Sequence, residues 1–185
     1  PSEKYKIIID NIYNQCIHYP DTIVHRYFKE YLPDLDIRLK KELDGKLAKK
    51  NECFRSNIIL NLAYEGDKEI KDELIKLFDS PYGKIRAEAI RAFCIGKFYK
   101  YYTKEEMMPY IIKLSKDYYF EEVEEGRIGL DVYLYKPIPG EPKKYCKKYP
   151  VLDALYRLAD AYNLKWEIDY SKCCNLDCPR VIKIE

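Results

Sequence analysis

The amino-acid sequence predicts an all-α protein: a short right-handed stack of antiparallel helix pairs with a Pro-rich loop and an irregular C-terminal tail. Three observations carry that reading. The first is composition: 21 Ile and 17 Leu stand against 5 Val, 2 Thr and 7 Gly. β folds favour Val and Thr in strands and Gly in turns. The second is periodicity, because apolar residues recur at three- and four-residue spacing through most of the chain as far as Lys116. The third is an internal repeat. The 185 residues suffice for one packed core or for a short array of repeated units.

Taken in order, Ile8, Ile9, Ile12, Tyr13 and Cys16 mark a first helix over 4–17. Pro20-Asp21 ends it, and Asp21 caps a second helix through Tyr31. After Pro33, Leu35, Leu39, Leu43 and Leu47 lie four apart, so 34–49 reads as one amphipathic helix. The next helix, 51–65, buries Phe54, Ile58, Ile59 and Leu62, and Gly66 stops it. Asp67 starts a helix over 67–79 with Ile70, Leu74 and Leu77 inward. Ser80-Pro81-Tyr82-Gly83 is a tight turn before a helix over 84–100. Thr103 and Glu106 have the spacing of a capping box for a helix to about Lys116. Residues 117–135 fit either an alternating strand, through Ile128, Leu130, Val132 and Leu134, or a helical stripe through Val123, Gly126, Leu130 and Tyr133; helix is the reading taken. Four prolines make 136–150 loop or extended chain, and Val151–Leu164 is again helical.

The repeat joins these elements. Phe54-Arg55-Ser56-Asn57-Ile58-Ile59 aligns with Ile85-Arg86-Ala87-Glu88-Ala89-Ile90, an offset of 31. Leu74-Ile75-Lys76-Leu77 aligns with Ile111-Ile112-Lys113-Leu114, an offset of 37. This helix-turn-helix unit resembles the HEAT-like repeat family, best over 67–100. There Asp79-Ser80-Pro81 supplies the turn, Ile85-Arg86 the apolar-Arg pair, and Ala87, Ala89 and Ala92 the small contacts. In a third unit Asp117 takes the turn position and Gly126 replaces Ala89, while Glu124 stands near the expected Arg. The resemblance implies a repeat array over 1–135, with 136–185 (loop, closing helix and Cys-rich tail) packed on the same domain. Helix pairs of this size bury their apolar faces only by stacking on neighbours. The resemblance further implies a non-catalytic scaffold that holds a protein partner on its concave face.

Charge narrows the function classes. With 33 Lys+Arg against 31 Asp+Glu, the chain is no uniformly basic nucleic-acid coat. Local basic-aromatic interleaving does occur over 84–104, and the residues assigned to partner binding are Arg55, Arg86, Arg91, Lys97, Tyr99, Lys100, Tyr101 and Tyr102. Cations with stacking rings suit nucleic acid as well, which makes a nucleic-acid module the alternative. A second basic cluster is Lys143, Lys144, Tyr145, Lys147 and Lys148, and the run Glu121, Glu122, Glu124, Glu125 is opposite in sign. No Gly-rich phosphate loop, G-x-S-x-G or H-E-x-x-H motif occurs, so no catalytic residue is assigned.

Seven cysteines complete the inventory. Cys16, Cys53 and Cys94 sit in apolar helical surroundings and read as small core residues. Cys173, Cys174 and Cys178 cluster in a turn-prone stretch, with Cys146 in another irregular segment. Together they offer four thiolates for zinc or an iron–sulfur cluster, which makes a metal- or redox-responsive protein a further alternative, although the spacing departs from paired C-x-x-C knuckles. Disulfides and free thiols are the competing readings. Cys16, His18 and His25 are not brought together by any local pattern. No run of about 18 apolar residues is present, so no membrane association is expected, and the cysteine usage points to a reducing, cytoplasmic setting.

Overall fold

A computed structural model describes residues 3–10, 32–122, 145–170 and 180–185. It is mostly helical. Helix α1 covers residues 3–10, followed by α2 (Leu35–Leu43), α3 (Lys46–Lys50) and α4 (Glu52–Tyr64). Helix α5 (Lys71–Lys76) is flanked by 3-10 turns at Lys68–Ile70 and Leu77–Asp79. Helix α6 (Gly83–Ile95) runs into a 3-10 turn, Phe98–Lys100, before α7 (Lys104–Lys116). Strands β1 (Tyr119–Glu122) and β2 (Tyr145–Lys148) pair antiparallel. Helix α8 (Leu152–Tyr162) precedes a C-terminal antiparallel pair, β3 (Trp166–Asp169) and β4 (Arg180–Ile184).

Local signals set the helix starts. Asn51 accepts from the Phe54 amide at 3.0 Å, and Asp67 from the Glu69 amide at 3.0 Å. Thr103 and Glu106 form the reciprocal capping box, at 3.2 and 2.7 Å. Each bond satisfies an amide that the helix leaves open.

Helix α4 is the innermost element. Besides Phe54, Ile58, Ile59 and Leu62, it buries Leu60, Ala63 and the polar Ser56, Asn57 and Asn61. Helices α2, α3, α5 and α6 pack around it, and α6 in turn carries α8 and β1. Rings from three segments meet over α6: Phe93 lies 5.9 Å from Phe78, 6.3 Å from Phe98 and 6.0 Å from Tyr102. Strand β4 rests on α7, with Val181 buried.

Four sequence expectations change. The single helix over 34–49 divides at Asp44-Gly45, where Gly45 is extended and caps α3. The break rotates the stripe, so Ala48 is buried while Leu47 is 40% exposed. The helix over 84–100 stops at Ile95, because Gly96 and the left-handed Lys97 (φ 60°) end it. The helix over 117–135 is replaced at 119–122 by strand β1. Asp117 leaves α7 extended (φ −82°, ψ 154°), and Tyr119 lies against the backbone of Gly83, in space that a Cβ there would occupy. Residues 123–135 lie outside the described residues, as do 11–31 and 136–144. The tail after Trp166 is less irregular than expected, since its two ends pair as strands. Among the described residues, no helix is long and apolar enough to cross a membrane.

The C-termini of α4 and α6 meet backbone to backbone. A Cβ on Gly96 would collide with the Ala63 carbonyl and stand 2.6 Å from Phe98 Cε2. Gly96→Ala is therefore expected to lower the unfolding free energy by about 1–3 kcal/mol, read as a shifted urea midpoint. An unchanged midpoint would show that this junction has slack.

Candidate functional site

The two arginines aligned by the repeat are both used internally. Arg86, with a side chain only 15% exposed, donates from Nε and Nη2 to the two Asp117 oxygens at 2.5 and 3.0 Å. Its Nη1 donates to the Ser80 carbonyl at 2.7 Å. Arg55 donates to Glu73 Oε2 at 2.7 Å and reaches the Leu43 carbonyl at 3.4 Å. Each guanidinium thus binds one earlier carbonyl and one later carboxylate, which is what a planar fork does well.

Two of the aromatic candidates are also committed. Tyr102 donates to Asp72 Oδ1 at 3.0 Å; burial, then this carboxylate, pushes its hydroxyl up to about 12. Its carbonyl accepts from the Tyr162 hydroxyl at 3.1 Å, and burial holds that phenol protonated as well. Tyr99 is half-buried against the core. What remains exposed is Arg91 (52% of its side chain), Lys97, Lys100 and Tyr101 (48%). These four residues lie on the last turns of α6 and the segment that follows. Arg91 approaches Glu88 only to 3.8 Å, and Glu88 Oε2 accepts from the Tyr64 hydroxyl at 2.6 Å.

Beside Arg91 a cleft of about 360 Å³ opens between α6 and α8, lined by Arg91, Cys94, Ile95, Ala154 and Arg157. Cys94 is a buried free thiol with Sγ 3.8 Å from the Ala154 carbonyl. Burial pushes that thiol up to about 12, against a smaller downward pull from Arg157. It is therefore protonated at neutral pH and no nucleophile. Sequence reasoning missed this cleft. Its signal is faint: Arg91 with Cys94 and Ala154 with Arg157 are both i, i+3 pairs, each setting one cation beside one small residue.

Most of the other candidates lie outside the described residues. Cys173, Cys174 and Cys178, with Cys16, His18 and His25, lie outside the described residues, the first three between β3 and β4. Cys146 has its backbone in β2, opposite Glu121. Among the described residues no three His, Cys, Asp or Glu side chains gather as a metal site. Lys143 and Lys144 also lie outside the described residues, while Lys147 sits over the Tyr118 ring at 4.0 Å.

Glu73 gives a pH test of the internal ties. Hydrogen bonds from Lys76 and Arg55 hold its carboxyl below the usual glutamate range, outweighing partial burial. A depressed carboxylate contributes stability that is complete above the unfolded value and is lost as pH falls through the folded one. Between about pH 5 and pH 3 the wild-type urea midpoint should fall more steeply than that of Glu73→Gln. Parallel curves would mean that the pair contributes nothing. In comparisons with protein-family models, curated proteins and solved structures, nothing matches this chain.

Proposed function

We propose that the protein is a non-catalytic adaptor of HEAT-like construction, holding an acidic protein segment on the surface formed by Arg91, Lys97, Lys100 and Tyr101. The observation that carries this reading is the division of the basic-aromatic stripe. Arg55, Arg86 and Tyr102 are spent on internal bonds, whereas Lys97 and Lys100 stand exposed without an ion pair among the described residues. Cations concentrated beside an exposed ring steer and orient an acidic partner.

Support for the repeat comes from sequence separations. Lys40 with Glu69 spans 29 residues, Tyr102 with Asp72 30, Arg86 with Asp117 31, and Lys113 with Asp79 34. Contacts recurring near that period are what stacked helix pairs generate. After Asp117 the chain departs from the pattern, and α8 supplies a helical neighbour for α6. A reducing, cytoplasmic compartment belongs to the same proposal, and the free thiol of Cys94 is compatible with it.

The test is capture from a native lysate by the wild type and by the triple variant Arg91→Glu, Lys97→Glu, Lys100→Glu, with nuclease and in moderate salt. One protein captured stoichiometrically by the wild type should fall about tenfold or more with the variant, at unchanged melting temperature. Equal capture by both chains overturns the surface. Capture abolished by nuclease transfers the same residues to nucleic-acid binding, with the steep salt dependence that phosphate contacts impose.

A further inference from the structure

We infer that the cleft between α6 and α8 is an oxyanion site, in which the guanidinium groups of Arg91 and Arg157 grip a phosphate group or a carboxylate from two sides. The five lining residues include two cations and no carboxylate. Arg157 is exposed and has no ion-pair partner among the described residues. Among the described residues Arg91 is held only by Glu88, at 3.8 Å, and that carboxylate also serves Tyr64. Two like charges facing one concavity repel each other unless an anion lies between them. Arginine is the side chain whose fork fits such an anion in two parallel hydrogen bonds.

The walls are suited to the task. Ala154 brings little side-chain volume, which keeps the space between the helices open, and the protonated Cys94 at the floor adds no negative charge to compete. Helix α6 is anchored on α4 and α8, so the cleft exists before a ligand arrives. The site goes beyond the adaptor reading and needs no partner protein.

The experiment is an NMR titration of the arginine Nε–Hε signals of the whole chain with inorganic phosphate and, separately, with acetate, at constant ionic strength. The Arg91 and Arg157 signals should move together and saturate, while those of Arg55 and Arg86 stay in place. Arg91→Gln and Arg157→Gln should each weaken the binding about tenfold or more without changing the melting temperature. Saturation by phosphate alone assigns a phosphate group, by acetate alone a carboxylate, and by both the shared oxyanion chemistry. Shifts that stay linear, that appear equally at every arginine, or that survive in the Arg157→Gln chain overturn the site.

Discussion

The Arg86 guanidinium decides how the second half of the molecule is laid out. It sits on the first turn of α6 and reaches backward to the Ser80 carbonyl and forward to both oxygens of Asp117. Because Asp117 is held there, α7 ends at Lys116 and the chain leaves extended. Gly83 leaves room for Tyr119 against α6, so β1 settles on that helix and pairs with β2. From β2 the chain turns at Pro150 into α8, which closes on α6 and shapes the cleft. A charge-assisted, two-pronged bond in a half-buried setting is strong enough for this. Losing one partner leaves a poorly solvated charge.

Much of the helical part was legible in the sequence. The caps at Asn51, Asp67 and Thr103 act through bonds to amides two or three residues away, so local sequence contains both partners. The same is true of the stop at Gly66, whose φ of 78° suits glycine. The limits are equally physical. Residues 119–122 form a strand because Asp117 is held by a residue 31 positions earlier, and helical periodicity contains nothing of that. The burial of nine of the thirteen residues of α4, polar Asn57 and Asn61 included, depends on neighbours on more than one side, whereas a stripe of Phe54, Ile58 and Leu62 announces only one.

The candidate surface was legible as composition and illegible as commitment. Eleven basic and aromatic residues over 84–104 look alike in a linear reading. Their roles separate only when Asp72 and Asp117 arrive, 30 and 31 residues away in sequence, to engage Tyr102 and Arg86. Arg91, one turn beyond Glu88, keeps about half of its side chain in solvent and stands where the exposed surface meets the cleft. In this arrangement the internal arginines tie neighbouring segments together, while Arg91 stays largely exposed.

The most direct measurement is a double-mutant cycle on Arg86→Gln and Asp117→Asn, with unfolding free energies from urea titration. The account predicts a coupling of about 1.5 kcal/mol or more, because each group loses its value when the other is removed. Additive effects, with a coupling below about 0.3 kcal/mol, would contradict it and free Arg86 for an external partner.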